Sequence, residues 1–171
     1  LSGSSGADIF NIQDGGSISG DINGNAGTNT LSYAGYTSDV TANFTTPSYT
    51  GISGALSNVT VFIGGDGTND TVVGAPGDTP MNITGANVFN ADAVLYFTEF
   101  ENLQGGADAS ITFNVDTGAT LSGTLNGGTG TGTNVLSYSS YATGAVTVNI
   151  GTNSATAITG NVTNIHTVNG N

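Results

Sequence analysis

The stretch FNIQDGGSISGDINGNAG, Phe10 to Gly27, reappears as FNVDTGATLSGTLNGGTG, Phe113 to Gly130, and the reading of the whole chain follows from that recurrence. Working outward, LSYAGYTSDVTANF from Leu31 matches LSYSSYATGAVTVNI from Leu136. GISGALSNVTVFIGG from Gly51 then matches AITGNVTNIHTVNG from Ala157. Three blocks recurring in the same order mark an internal duplication, the sequence signature of a repeat architecture. The chain divides into a first copy over residues 1–65, a linking β segment over 66–105 that continues the stack, and a second copy over 106–171.

Inside each copy, short runs alternate apolar and polar residues and close on Gly, Asn or Asp, as at Asp8–Ile12, Ser17–Ile22, Asn29–Tyr33 and Val59–Ile63. That is the pattern of strands between tight turns, and no helical period competes with it. The apolar positions Phe10, Leu31, Ile52 and Val72 recur at a nearly even step. The step predicts an all-β, parallel β-solenoid of about 20 residues per coil, each coil laying its apolar side chains on the next. A β-sandwich is the alternative, because its turns recur at a compatible spacing. Right-handed winding is the default for parallel crossovers.

Composition narrows the function. The 171 residues include no Lys or Arg, twelve Asp plus Glu and a single His, for a formal charge of −12. Nucleic-acid binding needs cations to displace counterions from phosphate, so it is excluded, as is attraction to anionic membranes. No ion pair between side chains of Asp or Glu and Lys or Arg can form. Trypsin-like proteases find no cleavage site, which suits a long-lived extracellular polymer. Without Cys there are neither disulfides nor thiolate metal sites. No apolar run reaches the length of a membrane span, and no signal peptide is recognisable. The opening at Leu1 reads as a mature product, an excised segment or a unit within something longer.

The runs GTNTLSYAGYTSDVTANF, GISGALSNVTVFIGG, GTNDTVVG, NITGAN and FTEFENLQGGADA resemble the repeats of giant bacterial surface and adhesin-type proteins. In those, glycine-rich segments related to the repeats-in-toxin motif alternate with longer β-rich units. The resemblance covers almost the whole chain and implies a secreted, extended protein used in adhesion, surface layers or matrix. It also implies Ca²⁺, which the glycine-rich nonapeptide holds through Asp carboxylates and backbone carbonyls when copies stack in tandem.

Here the motif occurs singly. GSSGADIFN (Gly3 to Asn11) puts Asp8 at the ligand position, and GNAGTNTLS (Gly24 to Ser32) has Asn29 there instead. GGDGTNDTV (Gly64 to Val72) offers Asp66, Asn69 and Asp70, and GGADASITF (Gly105 to Phe113) offers Asp108. The metal candidates are therefore Asp66, Asp70, Asp8 and Asp108. The structural reading of the same segments is a set of corners that need Gly or Asn in left-handed backbone.

The paired tyrosines Tyr33 and Tyr36, matched by Tyr138 and Tyr141, read as packing aromatics, with stacking on glycans as the alternative. His166, set beside Val61 of the first copy, reads as a surface strand residue, since a catalytic or metal-bound His needs oriented partners. Glu99 and Glu101 alternate with Phe97, Phe100 and Leu103 as one half-exposed strand would. No Lys or Arg is present to handle a uronate substrate, so no enzymatic activity is expected. The sequons at Asn43, Asn58, Asn69, Asn82 and Asn161 are no more than so Asn- and Thr-rich a chain produces by chance.

The expectation is a non-catalytic structural unit of a secreted, cell-surface fibre, filament or adhesin stalk. Neither the opening repeat nor the closing NIHTVNGN reads as a cap, so the expected partner is a like unit stacked end to end, with glycans as further partners. A calcium-dependent binding module of a secreted adhesin is the alternative.

Overall fold

The structure, a computed structural model, describes residues 1–77, 79–107 and 110–171; Asp78, Asp108 and Ala109 lie outside the described residues. Extended runs rich in Thr, Val and Ile, cut short by Gly and Asn, become strands of two to five residues. The first copy holds Ile9–Asn11 (β1), Ile22–Asn23 (β2), Thr30–Ser32 (β3), Thr41–Asn43 (β4), Ser48–Tyr49 (β5), Leu56–Ser57 (β6) and Val61–Ile63 (β7). The linking segment holds Thr71–Val73 (β8), Met81–Gly85 (β9), Val88–Ala91 (β10), Leu95–Thr98 (β11) and Asn102–Gln104 (β12). The second copy holds Thr112–Val115 (β13), Leu125–Asn126 (β14), Val135–Ser137 (β15), Val148–Asn149 (β16), Ser154–Ala155 (β17), Val162–Thr163 (β18) and Thr167–Asn169 (β19). No helix occurs among the described residues.

The strands form mostly parallel sheets. A nine-stranded sheet runs β1-β3-β7-β11-β10-β9-β13-β15-β19, parallel throughout except for β10, which is antiparallel to both neighbours. A six-stranded sheet runs β18-β14-β12-β8-β4-β5, with only β4 and β5 antiparallel. Two further pairs are β2/β6, parallel, and β16/β17, antiparallel. The antiparallel pairing that a sandwich would require is confined to these few places.

Parallel registration stacks like on like, and this builds the core. Leu31 lies opposite Phe62, Phe62 opposite Phe97, and Phe97 opposite Phe89. The Phe97 ring stacks on Phe62 at 5.3 Å and on Phe89 at 5.1 Å. In the six-stranded sheet the column is Ala42, Val72, Leu103, Leu125 and Val162. All of these are buried, and each large apolar side chain so placed contributes roughly 1.5–3 kcal/mol. Asparagines form a second, polar ladder: Asn114 donates to Asn82, which donates to Asn90.

Among the four apolar positions that define it, the even step matches a strand pairing only once. Phe10 does pair with Leu31, but Ile52 bridges to Ile18 and not to Leu31, and Val72 pairs with Ala42 and not with Ile52. Leu31 belongs to the nine-stranded sheet, Ile52 to an isolated bridge and Val72 to the six-stranded sheet. Steps of similar length do join stacked strands elsewhere, Leu103 with Leu125 and Phe113 with Leu136, whereas most other parallel pairings, such as Leu31 with Phe62 and Ala42 with Val72, span a longer stretch.

The matched halves also share hydrogen bonds. The Tyr33 hydroxyl donates to Thr50 O at 2.8 Å and the Tyr138 hydroxyl to Thr156 O at 2.7 Å. The Thr41 and Thr147 amides donate to the hydroxyls of Thr50 and Thr156, each at 2.8 Å. The linking segment lies between the copies: β11 pairs with β7 of the first, and β9 with β13 of the second.

Candidate functional site

The glycine-rich segments form the corners of the molecule. Each begins on a Gly that leaves a strand or bridge and ends on the residue that enters the next strand. The corner pairs are Gly3 with Asp8, Gly24 with Asn29, Gly64 with Asp70 and Gly105 with Ile111. A fifth, Gly127 with Asn134, was not evident from the sequence. In every pair the corner side chain folds over its Gly, and a carbonyl from the neighbouring turn closes in beside it. A Cβ on Gly24 would fall against Asn29 Nδ2 and Asn58 O, and one on Gly127 against Asn134 Nδ2 and Asn164 O. None of the five glycines has positive φ. At these five, close approach of neighbouring atoms demands Gly. Left-handed backbone, as expected, stands at other corner residues, Asn25 (φ 58), Gly27 (φ 92) and Gly128 (φ 100), and at three of the residues whose carbonyls close in, Asn58 (φ 54), Glu99 (φ 62) and Asn164 (φ 55).

The corner side chains serve the backbone. Asn29 accepts the Asp8 amide at 2.9 Å and donates to Asn58 O at 2.8 Å. Asn134 accepts the Ile111 amide at 3.1 Å and donates to Asn164 O at 3.1 Å. A carboxamide carries both functions on a short side chain, so Asn suits the position better than a charged ligand residue would.

Asp70 is the exception, a carboxylate with no exposed surface. Its Oδ1 accepts the Val40 amide at 2.8 Å and its Oδ2 the Gly65 amide at 2.5 Å. Its own amide donates to Glu101 Oε2 at 3.0 Å, and Glu101 Oε1 accepts from Asn87 at 3.2 Å. Burial pushes the Asp70 carboxyl above its ordinary pKa; the two amides oppose this, and the negative charges of Asp39 and Asp66 add to it. Glu101 is raised as well, first by burial and further by Asp70 and Asp39, against the Asp70 amide.

The metal candidates therefore separate. Asp66 and Asp70 share one turn, but Asp66 is exposed and Asp70 is turned inward. Asp8 occupies another corner, its carboxylate accepting the Ser4 amide at 2.7 Å and the Ser4 hydroxyl at 3.2 Å. Asp108 lies outside the described residues. Sequence reading missed Asp39 and Glu101 as the companions of Asp70, because both approach from other turns. Among the described residues no group of three or more His, Asp or Glu is arranged to hold a metal ion.

Tyr33 and Tyr138 are wholly buried, with Tyr36 and Tyr141 edge-on to them at 5.9 and 5.7 Å. Burial raises both buried hydroxyls, that of Tyr138 to about 12. These two rings pack inside, so a sugar cannot stack on them. His166 accepts the Asn134 amide on Nδ1 at 3.1 Å. Its own amide donates to Asn134 O, as the Thr60 amide does to Asn29 O, so its counterpart is Thr60 and not Val61. Glu99 and Glu101 do not share a strand: β11 ends at Thr98, Glu99 is left-handed and β12 starts at Asn102. An apolar groove of about 280 Å³ opens beside β9, β10 and β11, lined by Phe44, Val72, Met81, Leu95 and Phe97 among others.

Comparison with protein-family models, with curated proteins and with solved structures returned no match.

Proposed function

We propose that this chain is a non-catalytic structural unit of an extracellular fibre or adhesin stalk, a β-solenoid whose coils stack on those of like units. The observation that carries the reading is the nine-stranded sheet, whose outermost strands β1 and β19 have a parallel neighbour on the inner side only. Open parallel edges are templates for further strands. The corner side chains described above are spent on backbone amides and carbonyls, which supports a building role over a chemical one. The resemblance to surface-protein repeats and the absence of Lys and Arg support a place outside the cell. Sedimentation and electron microscopy at rising concentration test the reading. Growing filaments with the strand spacing of about 4.7–4.9 Å along their axis are expected. A compact monomer at millimolar concentration overturns it.

A calcium-dependent binding module is the second reading, favoured by the gathering of Asp39, Asp66, Asp70 and Glu101 around one turn. Against it stand the two backbone amides already held by Asp70. Chelator treatment separates the two readings: the thermal midpoint is expected to stay where it is, and a large fall on adding EDTA, reversed by Ca²⁺, would establish the module.

A further inference from the structure

The groove beside the β10–β11 hairpin is walled by segments from the middle of the chain. Phe44 comes from the turn after β4, Gly74 and Ala75 follow β8, and Met81, Ala91 and Leu95 belong to β9, β10 and β11. Space is left where Gly74, Ala75 and Ala91 offer little or no side chain. The Phe44 and Phe97 rings lie edge to face on another wall, 5.7 Å apart and at 83°. A cavity of about 150 Å³ with aliphatic and aromatic walls accepts benzene. At about 280 Å³, this groove has room for one ring and a short chain.

Its mouth is polar and strained. Asp92 and Ala93 form a two-residue turn, closed by the Val94 amide donating to Ala91 O at 3.1 Å. Both have left-handed backbone, φ 55 and φ 52, as a type I′ hairpin turn requires. Gly would sit in the second position without strain; Ala93 sits there at a cost, and strain of this kind gathers at binding sites. The turn places Asp92 and Val94 at the edge of the groove, both exposed. Among the described lining residues, Asp92 is the one with a titratable side chain. The chain has no Lys or Arg to pair with it.

We infer that this groove binds a small organic cation, an arylalkylammonium ion, with its ring against Phe44, Leu95 and Phe97 and its ammonium group at Asp92. Burial of apolar surface draws the ring in, and the crossed Phe rings offer it a face and an edge. Asp92 selects the charge, and the net charge of −12 raises the local concentration of any cation. An anion of the same shape is repelled on both counts. The site stands whether or not chains stack on one another.

Met81 is the only Met in the chain and lines the groove, so its isotope-labelled methyl group gives one NMR signal that reports occupancy. Phenethylammonium, phenethyl alcohol and hydrocinnamate are titrated in turn at low salt. The ammonium ion is expected to shift the Met81 signal saturably and to bind about three- to fivefold more tightly than the alcohol, the preference one exposed charge pair confers. Hydrocinnamate is expected to bind more weakly than either. Added salt should weaken the ammonium ion and spare the alcohol. Asp92→Asn suits the left-handed turn and is expected to remove most of the preference while leaving the affinity for the alcohol unchanged. A Met81 signal that no probe moves would overturn the site. Equal affinity for ammonium ion and alcohol, or a preference that survives Asp92→Asn in full, would overturn the choice of a cation.

Discussion

The first and second copies agree in their hydrogen bonds and disagree in their charges. Tyr33 and Tyr138 bond to Thr50 O and Thr156 O, and Asn29 and Asn134 bridge the same pair of backbone groups at their corners. Where charges stand, the copies part. Asp14 accepts the Thr37 amide and hydroxyl in the first copy; its counterpart Thr117 accepts the Ala142 amide in the second. Asp8 becomes the buried Ile111. What the duplication preserves is the satisfaction of the backbone, and what it leaves free is how the polar side chain is charged.

The strands β7 and β19, one flanked on both sides and the other on one, offer the largest way to break the comparison. Phe62→Ala, beneath β11, is expected to cost about 3–5 kcal/mol in denaturant unfolding, whereas its counterpart Val168→Ala is expected to cost under about 1 kcal/mol. Equal losses would mean that β19, like β7, is covered in solution. Next come the corner glycines: Gly24→Ala and Gly127→Ala force a methyl against the Asn side chain and a neighbouring carbonyl, and each is expected to cost about 1–3 kcal/mol. A thermal scan that finds either variant neutral contradicts the close approach. Smaller again, Tyr33→Phe and Tyr138→Phe each remove one buried hydrogen bond and are expected to lose about 1 kcal/mol, alike in the two copies. A clear inequality between them would show that the halves are not equivalent.

The smallest effect sets the linking segment apart by pH. Asp70 and Glu101 are raised by burial, so the folded chain keeps their protons at a pH where the unfolded chain has released them. Stability therefore rises as pH falls from neutral through the raised values, and the gain is complete at the ordinary carboxylate range, near 4. Asp14, lowered chiefly by its Thr37 hydrogen bonds, acts in the opposite sense and only below that range. At fixed ionic strength the thermal midpoint should be higher at pH 5 than at pH 7. The double substitution Asp70→Asn with Glu101→Gln should flatten the difference. A midpoint that falls on acidification would contradict the inward placement of Asp70.

The duplication, the all-β class and the corner segments were legible in the sequence because all three depend on local spacing of Gly, Asn and apolar residues. The assignment of strands to sheets was not. A run such as TLS or TVV alternates identically on any face, and the length of the intervening loops decides which earlier strand it meets. Burial of Asp70 was hidden for a similar reason, since GGDGTND reads as a polar surface turn until Val40 and Glu101 arrive from elsewhere. One signal was available: the recurrence of Asn at 29 and 134, matched in both copies, marks a side chain bonded to backbone and not a ligand that has lost its charge.

The position of β1 and β19 at opposite edges of one sheet governs how the chain would bear load. Tension applied between those edges runs along the strand-to-strand hydrogen bonds, and the ladders of the six-stranded sheet share it, since β4/β8 joins the same two segments as β3/β7. Such a chain yields one joined set of ladders at a time. Each rupture frees the stretch of chain between paired partners, from the shorter span linking Phe10 to Leu31 to the longer one linking Phe62 to Phe97. Stepwise extensibility is what this arrangement gives the chain.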